Sequence, residues 1–485
     1  MGSFLEMTWG KREECGDAIL SELDRQEKDA KQPESVLACL RRGSIILSHF
    51  LPVFFRRAFY SQPVFRILPR LFIRNVSMKR RHFLSTALSA SAAASLTPIR
   101  AAMPKKKILL RSSWQTVNIG DIAHTPGMLT LLERHCPDYE VTLWPSHVNN
   151  GVEEILRERF PKLKIAKNAD ERKEAFETND FLLHGSGPGI VAQKSIIEWS
   201  EKTGKPYGIG GVTWRYSEEG LDVINRSAFT FFRDSVSLQV AKDNGGTCPI
   251  MEFGPDATFA CDLSADDAAS AWLEEVGLEE GKFMCCIPKL RNTPYWEVKE
   301  GYKFDPVKHA RNEEMKEHDI GPLRNAVIAV VRETGMKVLL CPEDATHMKL
   351  NKEMIYDKLP ADVKQQVVWR ESYWLTDFAT SVYTRSAGLF GNEQHSPILC
   401  IGHGIPAIVC RYKEQTSKGF MWKDIGLSEW LFDHDLDEAE KGLTPAVLAI
   451  ATDQKTARAR ALEGKAVADA RMKRMMEALR ETVES

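Results

Sequence analysis

The chain has 485 residues, of which 43% are hydrophobic and 27% charged, and its formal net charge is −2. This length and apolar content are sufficient for two domain-sized cores. Residues 1–102 carry 16 Lys and Arg against 9 Asp and Glu, so the remaining body is acidic, which argues against binding to nucleic acids or anionic membrane surfaces.

The region before this body predicts targeting rather than a folded element. No acidic residue occurs from Ser35 to Gly120. Within it, residues 78–102 begin with basic side chains, continue with an apolar run too short to span a bilayer, and end in small residues. The run RRHFL at residues 80–84 resembles the twin-arginine export motif. We therefore expect a twin-arginine-like signal peptide at residues 78–102 and a mature protein that begins near Met103.

This prediction implies export to the periplasm or cell envelope, with a cytoplasmic location as the alternative. An organelle transit peptide has a similar basic, acid-poor composition and stays open as a second explanation. Residues 1–77 are either an unusual extension or upstream sequence that does not belong to the protein. The apolar segment Ser44–Arg74 is interrupted by arginines and three prolines, so we predict no integral membrane segment.

After the leader, short apolar runs alternate with helical patterns, which is typical of parallel sheets covered by helices. Six strands are predicted in each half, so the fold class is α/β with two doubly wound, Rossmann-like domains. The predicted strands of the first half are Lys107–Arg111, Glu140–Trp144, Asp180–His184, Pro206–Ile209, Phe229–Arg233 and Met251–Phe253. Those of the second half are Phe283–Ile287, Lys337–Cys341, Val367–Trp369, Gly388–Gly391, Ala407–Val409 and Trp430–Phe432.

The polar stretch Asp262–Gly281 is the predicted boundary, which gives an N-terminal domain at residues 103–262 and a C-terminal domain at residues 263–485. Residues 289–318 combine aromatics, charges and turn residues without a clean period, so we expect a long functional loop or an insertion over the cleft. The last helical run, Thr444–Glu484, is expected to pack across both domains.

The ten cysteines include no C-x-x-C pair, and several lie in apolar strand-like runs. Buried reduced thiols are therefore favoured over disulfides or zinc ligands. The sequence also lacks a P-loop, an H-E-x-x-H helix and a G-x-S-x-G turn. It accordingly predicts no cofactor and no metal ion.

The first strand leads into a polar loop and then into a helix predicted at residues 122–132. Asn118 and Gly120 suit a tight turn, and Asp121 suits the N-cap of that helix, whose free amides would face a cleft. This pattern indicates a loop that positions a substrate or phosphate. The alternative is that Asp121 serves only as a cap.

The third strand ends in the run HGSGPG, from His184 to Gly189. Its glycines allow a ligand to approach the backbone, but the run is not the full dinucleotide fingerprint, and no acidic partner follows at the right distance. A nicotinamide site is therefore disfavoured. His184 itself suits a hydrogen-bonded strand end. Gly208–Gly211 repeats the glycine pattern at the next strand end, with Arg215 just beyond it.

The fifth strand ends at Arg233, which could bind a carboxylate or phosphate with two parallel hydrogen bonds. The alternative is a structural pair between Arg233 and Asp234. Pro255 and Asp256 end the sixth strand in the same way. All these strand ends should meet at one edge of the sheet, where ligands bind in open α/β folds.

In the second half, the segment Leu389–Cys410 contains a polar turn between a strand and a helix. Asn392, Glu393, Gln394 and His395 lie on this turn, and the pattern predicts Ser396 as N-cap and Pro397 as first helical residue. An imidazole, a carboxylate and an amide beside a helix N-terminus indicate acid–base chemistry next to an anion site. Alternatively, these residues only finish the strand and pack beneath the helix.

Two lysines and one acidic motif complete the candidates. Lys413 and Lys418 follow the strand Ala407–Val409 and could contact a phosphate, although such lysines are often only solvated. Asp433-His434-Asp435 resembles a D-x-D metal motif, but it lies in an acidic, surface-like run and is interpreted as non-functional. The candidate substrate-binding residues are Asn118, Gly120, Asp121, His184, Gly185, Ser186, Gly187, Arg215, Arg233, Asn392, Gln394, Ser396, Lys413 and Lys418.

Taken in order, the NIGD run at residues 118–121, the glycine turns, Arg233-Asp234, Pro255-Asp256 and the helix start at His395 resemble the polysaccharide pyruvyl transferase family. The resemblance spans about residues 107–433. It implies a two-lobed fold similar to GT-B glycosyltransferases and transfer of pyruvate from phosphoenolpyruvate to a glycan hydroxyl, often as a ketal. Arg233 matches the family's Arg-Asp/Glu position, and His395 matches the His of its Arg-x-His signature.

The chain departs from that signature at Glu393, which stands where the family has Arg. A carboxylate there would repel a donor anion unless it is protonated or paired. Such a transfer needs an acid, a base and anion clamps, so we expect His395 as acid or base, Glu393 as its partner or a second base, and Arg233 as the anion clamp. A nucleotide-sugar glycosyltransferase and a non-catalytic envelope glycan-binding protein remain alternatives.

Overall fold

Seven parallel strands from the first half of the chain form one sheet, and six parallel strands from the second half form another. A computed structural model describes these elements for residues 105–485, so the predicted signal peptide and the extension lie outside the described residues. The strand orders are β3-β2-β1-β4-β5-β6-β7 and β10-β9-β8-β11-β12-β13. The prediction of two doubly wound α/β sheets is confirmed. The strands are β1 Lys107–Ser112, β2 Glu140–Pro145, β3 Lys164–Ile165, β4 Phe181–His184, β5 Tyr207–Val212, β6 Phe229–Phe232, β7 Met251–Phe253, β8 Phe283–Ile287, β9 Lys337–Leu340, β10 Val367–Trp369, β11 Gly388–Gly391, β12 Ala407–Arg411 and β13 Leu431–Asp433.

Helices connect these strands and cover the sheets, as parallel strands require. None of the helices among residues 105–485 combines the length and apolarity needed to cross a membrane. The α-helices are α1 Ile119–His135, α2 Val152–Arg159, α3 Ala169–Thr178, α4 Gln193–Thr203, α5 Glu218–Arg226, α6 Ser235–Asp243, α7 Asp266–Glu275, α8 Pro306–Ala329, α9 His347–Met354, α10 Ala361–Lys364, α11 Thr376–Thr384, α12 His395–Gly402, α13 Met421–Asp424, α14 Glu438–Thr452 and α15 Gln454–Glu484.

The central strands are recognisable in the sequence because they are buried on both faces. Every residue of β4, β6, β8, β11 and β12 is buried, so these strands appear as continuous apolar runs. All twelve predicted strands are present. The strand that the sequence missed, β3, has two residues, Lys164 and Ile165, which is too short to give an apolar run.

Both sheets reverse their strand order next to their first strand, between β1 and β4 and between β8 and β11. Loops that leave adjacent strands in opposite directions open a crevice at such a point. The loops after β1, β4 and β11 carry most of the predicted site residues. The fold therefore brings those residues to the carboxyl edges of the two sheets.

Helices α1 and α12 connect the two halves through close backbone contacts. Gly127 of α1 and Gly402 of α12 lie against the short 3-10 helix Ala257–Ala260, where a Cβ on either glycine would overlap the backbone. The long C-terminal helix α15 contacts α1 and β6 of the first half and α12 and α14 of the second, as predicted.

The segment 289–318 is not one long loop, which corrects the sequence prediction. It contains a 3-10 turn at Tyr295–Glu297, and helix α8 begins at Pro306. Asp305 caps this helix by accepting hydrogen bonds from the backbone N–H groups of Val307 and Lys308. The first turns of α8 are mostly exposed and carry few apolar residues, so no helical period is visible there. The eight cysteines among residues 105–485 are buried and free, as predicted.

Candidate functional site

The start of α1 is hydrogen-bonded to the loop that follows β9, so the two halves meet where the predicted site residues lie. The backbone N–H of Ile119 donates to the carbonyl of Glu343 at 3.0 Å. The hydroxyl of Thr376 donates to the carbonyl of Ile119 at 2.7 Å. The site is therefore built from side chains of both halves.

His395 is held by Glu343, not by Glu393 as the sequence suggested. Its Nδ1 lies 3.2 Å from Glu343 Oε1. The other carboxylate oxygen of Glu343 accepts from the backbone N–H and the hydroxyl of Ser396, both at 2.7 Å. Because this carboxylate acts as an acceptor, Nδ1 of His395 carries the proton, and Nε2 keeps a lone pair.

Helix α12 begins at His395, with Gln394 in the N-cap position, so the predicted N-cap at Ser396 is wrong. The Gln394 side chain makes no capping hydrogen bond. Glu343 supplies the acceptor from a neighbouring loop, and its negative charge is favourable at a helix N-terminus. Ser396 is thus a first-turn residue whose polar groups bind Glu343.

Gly120 makes room for His395. It lies in the first turn of α1, and a Cβ at this position would overlap Cβ and Cγ of His395. Asn118, not Asp121, is the N-cap of α1: its Oδ1 accepts from the N–H of Gly120 at 2.8 Å and of Asp121 at 3.1 Å. The Asp121 side chain is therefore available to the cleft, where Gln115 donates to its Oδ2.

A second imidazole, His124 of α1, faces His395 across the junction. The two ring centroids are 5.0 Å apart and the rings are perpendicular. His124 Nδ1 lies 2.8 Å from Asp256 Oδ1 and 2.7 Å from the hydroxyl of Ser186. Its Nε2 lies 3.8 Å from Asp121 Oδ1 and, like Nε2 of His395, is buried without a hydrogen-bond partner.

Two buried cations from opposite halves contact Asp256. Arg233 donates from Nη1 to Asp256 Oδ2 at 2.7 Å and from Nε to Thr213 Oγ1 at 2.6 Å. Lys418 Nζ lies 3.9 Å from the same carboxylate oxygen. Asp234 instead caps α6 through Ser237, so the alternative Arg233–Asp234 pair is wrong.

The pKa values of these groups follow from burial and from their neighbours. Burial alone would raise the pKa of Asp256, but His124, Lys418 and Arg233 hold it well below its usual range. Burial, followed by the charge of Arg233, lowers the pKa of Lys418 to about 7. Burial, with Lys418 and His124 nearby, lowers the pKa of His395 well below its ordinary value. His395 is therefore neutral at physiological pH.

Glu393 belongs to an adjacent buried group with Lys289, His347 and Asp344. Lys289 forms an ion pair with its Oε1, and His347 Nε2 lies 3.4 Å from the same oxygen. Burial and the charge of Glu343 raise the pKa of Glu393 to about 7, although Lys289 opposes the shift. The carboxylate that was predicted as partner of His395 is thus engaged by residues of its own half.

The other predicted residues divide into two groups. Ser186 lies within the cluster, where its hydroxyl contacts both His124 and Asp256. His184 is buried beside Trp114, with ring centroids 4.9 Å apart, and its Nε2 accepts from the N–H of Ala192. Arg215 and Lys413 are exposed and make no side-chain contact with the cluster.

Gly185 and Gly187 are buried where larger residues would collide with neighbouring side chains. A Cβ on Gly185 would lie 2.8 Å from the Ser112 hydroxyl, and one on Gly187 would lie 2.9 Å from the Trp114 indole nitrogen. Asn392 donates to the carbonyl of Asp319 and accepts from His434. These residues support the loops that carry the site.

The structure adds residues that sequence reasoning missed, chiefly Glu343, His124, Lys289 and His347. Glu343 lies three residues after the end of β9. Because ligands bind at the carboxyl ends of parallel strands, its position in the sequence was already a signal for a site residue. His124 lies one turn after Asp121 on the same helix face. Lys289 follows β8 and gave the same signal as Glu343, whereas His347 gave none, because its role depends on contacts across the second sheet.

The arrangement brings together two kinds of group that a transfer reaction needs, cations and neutral acceptors. The Lys418 side chain is buried, with 8% of its surface exposed, but its ammonium donates no hydrogen bond within the described residues. Its ammonium and the Arg233 guanidinium can bind an anion, and the lone pairs on the two imidazoles can accept from a hydroxyl. The site can therefore hold an anionic donor beside a neutral acceptor.

Comparisons with known proteins agree with this architecture. The family model of polysaccharide pyruvyl transferase matches residues 118–414, more than half of the chain. No curated protein matches the sequence.

Among solved structures, the chain is similar to a protein assigned as a UDP-N-acetylglucosamine 2-epimerase from Listeria monocytogenes, with a TM-score of 0.50 and 12% identity over 78% of this chain and 97% of that one. Alr3699/HepE from Anabaena in complex with UDP and glucose gives a TM-score of 0.49 and 10% identity, covering 78% and 99%. UGT71G1 from Medicago truncatula complexed with UDP-glucose gives 0.47 and 10%, covering 79% and 99%. The fold is thus GT-B-like, as predicted.

Proposed function

The chain belongs to the polysaccharide pyruvyl transferase family, and from this premise we propose that it transfers pyruvate from phosphoenolpyruvate to a hydroxyl of a glycan. Family membership indicates a transferase with a donor and a glycan acceptor. The choice of phosphoenolpyruvate as the donor goes beyond family membership and is the part that we propose. The observation that carries it is the pair of buried cations, Lys418 and Arg233, beside the unpartnered imidazole nitrogens.

Phosphoenolpyruvate carries a phosphate and a carboxylate, and both need cationic partners. Lys418 offers all three of its N–H donors, since none is used in a hydrogen bond within residues 105–485. Arg233 uses Nε and Nη1, and its Nη2 makes no hydrogen bond in the same part of the chain. The two cations come from opposite halves, so a donor bound between them would also bridge the halves.

The reaction requires two proton movements. The methylene carbon of phosphoenolpyruvate gains a proton, and the acceptor oxygen forms a bond to the adjacent carbon as its own O–H bond breaks. A second hydroxyl then displaces the phosphate, which leaves with the second proton, and the product is a ketal. Lys418 suits the proton donor because its pKa of about 7 allows both protonation states near neutral pH.

In this proposal the acceptor hydroxyl binds beside the two imidazoles and Asp121, and the donor binds at Lys418 and Arg233. Nε2 of His395, Nε2 of His124 and Oδ1 of Asp121 are all acceptors and together withdraw or orient a hydroxyl proton. Because the lowered pKa of His395 leaves its Nε2 without a proton near neutral pH, this residue belongs with the accepting groups. Glu393 is not required in either step, since Lys289 already engages it.

The test measures phosphate release and glycan-bound pyruvate after the purified full-length chain is incubated with phosphoenolpyruvate and envelope glycans. Lys418→Met removes the buried ammonium at similar volume, and we expect release to fall by about 100-fold or more. Lys413→Met removes an exposed lysine on the same segment and should leave release unchanged. Absence of release with every acceptor, together with no thermal shift by phosphoenolpyruvate, would exclude this function.

A nucleotide-sugar reaction is the second candidate, because the fold similarity at a TM-score of 0.50 is to a UDP-N-acetylglucosamine 2-epimerase. The glycine turn Gly185–Gly189 could contact a diphosphate through backbone N–H groups. Thermal stabilisation by uridine diphosphate, with none by phosphoenolpyruvate, would favour this candidate over pyruvyl transfer.

We also propose that residues 78–102 direct export, on the basis of the RRHFL run and the apolar segment that follows. Expression from Met78, with amino-terminal sequencing of the envelope fraction, should show a chain that begins near Met103. Substitution of both Arg80 and Arg81 by Lys should abolish this processing. Full-length chain confined to the cytoplasm, unchanged by the substitutions, would contradict export.

A further inference from the structure

We propose that Asp121, His124 and His395 bind a divalent transition-metal ion, such as Zn²⁺. This binding does not depend on the proposed transfer, whereas any role of the ion in catalysis rests on it. The three side chains come from the N-terminal turns of α1 and α12, which face each other across the junction between the two halves.

The first observation is the convergence of lone pairs. One oxygen of Asp121 and one ring nitrogen of each histidine lie within 4.8 Å of one another. Nε2 of His124 and Nε2 of His395 are both buried, and neither has a hydrogen-bond partner. Buried polar atoms rarely lack a partner. Three acceptors around one point repel each other, and a cation satisfies all of them at once.

The second observation is that each of these side chains is fixed by another polar group. Nδ1 of His124 lies 2.8 Å from Asp256, and Nδ1 of His395 lies 3.2 Å from Glu343. Histidines that bind metals commonly donate their other ring N–H to a carboxylate, which orients the ring and raises its basicity. Gln115 holds the second oxygen of Asp121 in the same way.

The charges around the site are compatible with a divalent ion. Three carboxylates, those of Asp121, Asp256 and Glu343, face two cations, Lys418 and Arg233. Without an ion the group carries a net charge of −1 when both cations are charged. With one it becomes positive, which suits the anionic donor proposed above. Lys418 lies on the Asp256 side, where its Nζ is 3.9 Å from Oδ2.

Two other groups of His and acidic residues in the described part of the chain do not fit a metal ion. His347 accepts at Nδ1 from the backbone N–H groups of Glu343 and Asp344, so its Nε2 carries the proton and has no lone pair for a metal. In the same group, Lys289 already neutralises Glu393.

In the other group, both oxygens of Asp319 bind Arg291, at 2.7 and 3.0 Å. Nε2 of His434 is hydrogen-bonded to Asn392 at 3.0 Å. The atoms of this group that could bind a metal ion are therefore already engaged in hydrogen bonds. Of the three groups, that of Asp121, His124 and His395 alone keeps both imidazole lone pairs free.

Two histidines and one carboxylate leave coordination positions open for exogenous ligands. In the proposed transfer, an ion at this place could take the acceptor hydroxyl and lower its pKa, which supplies the base that the neutral imidazoles supply only weakly.

The test is binding of Zn²⁺ to the full-length chain after removal of metals with a chelator, measured by isothermal titration calorimetry. Co²⁺ serves as a second probe, because its visible absorption reports nitrogen ligands and coordination number. We expect one equivalent of Zn²⁺ per chain. His395→Asn and His124→Asn should each weaken binding by about 100-fold, and Asp121→Asn by about 10- to 100-fold.

His184→Asn is the matched control, because His184 is also buried with one unpartnered ring nitrogen but has no carboxylate partner. It should bind Zn²⁺ like the unmodified chain. Circular dichroism checks that each variant is folded, and Asp121→Asn, at a partly exposed position, remains informative if the histidine variants do not fold.

Weak binding of Zn²⁺ that is insensitive to all three substitutions would overturn the proposal. Phosphate release that persists in excess chelator, with no bound metal, would refute a catalytic role of the ion, while pyruvyl transfer stands. Binding of one equivalent without phosphate release from any acceptor would support the metal site and count against the transfer. These experiments can therefore refute the metal site without refuting pyruvyl transfer, and the reverse.

Discussion

The contact between Gly120 and His395 provides the sharpest test of how the two halves meet. Gly120 lies in the first turn of α1 with ordinary helical geometry, so Gly120→Ala by itself should favour the helix by up to about 1 kcal/mol. The added Cβ would, however, overlap the side chain of His395. To restore van der Waals contact, the imidazole or one of the two helices must move away by about 1.5 Å.

Such overpacking costs about 1–3 kcal/mol, so after a helix gain of about 1 kcal/mol is subtracted, Gly120→Ala should lower the free energy of unfolding by up to about 2 kcal/mol. A displacement of this size would also separate His395 from Glu343 and from His124. Because misplacement by about 1 Å can cost about 100-fold in rate, phosphate release should fall by a similar factor.

Urea denaturation gives the stability, and the phosphate assay gives the activity. Gly189→Ala is the matched control, because the nearest atom to its Cβ would be the Thr213 carbonyl at 3.8 Å; it should change stability by less than about 0.5 kcal/mol. If Gly120→Ala matched this control in both assays, the close approach of α1 and α12 would be refuted.

Three further predictions follow from the buried titratable groups. Burial lowers the pKa of His184 to about 3. As the pH falls below about 6.5, the unfolded chain therefore binds a proton at this residue before the folded chain does, and the free energy of unfolding decreases down to about pH 3. His184→Gln should remove about 2 kcal/mol of the difference in stability between pH 7 and pH 5, as measured by denaturation at both pH values. Glu343→Gln should weaken Zn²⁺ binding by about 10- to 100-fold, because His395 loses the carboxylate that orients it; unchanged affinity in calorimetry would contradict that role. Lys289→Met should destabilise the fold by about 3–5 kcal/mol at pH 8, and by less at pH 6, where Glu393 can take a proton. The double variant with Glu393→Gln should recover most of the lost stability. Equal losses at both pH values would contradict an unpaired buried charge as the cause.

The sheets were predictable because their central strands are buried on both faces and leave continuous apolar runs. The position of the site was predictable for a related reason: parallel strands end at one edge, and the loops after β1, β4, β6 and β11 are polar. The short edge strand β3 and the first turns of α8 were not, because neither carries enough apolar residues to show a period.

The partners within the site were much less predictable. Ser396 before Pro397 is a good local N-cap signal, but Glu343 from another loop satisfies the same N–H groups and shifts the helix start to His395. Likewise, Glu393 is the nearest carboxylate to His395 in sequence, whereas the carboxylate that binds it follows β9. Sequence proximity on a loop does not determine which side chains face each other once two sheets converge.

The position of Glu393 is compatible with the anion site proposed above, although this loop carries a carboxylate. The sequence predicted that a carboxylate at this position would repel the donor unless it were protonated or paired. It is paired with Lys289, a residue that follows β8, and the pKa of about 7 means that it can also take a proton. The local charge is thus neutralised within the second half, and the cations that face the junction are Lys418 and Arg233. In the proposed transfer the anion would therefore bind between one cation of each half, and donor binding would depend on the junction between the two sheets.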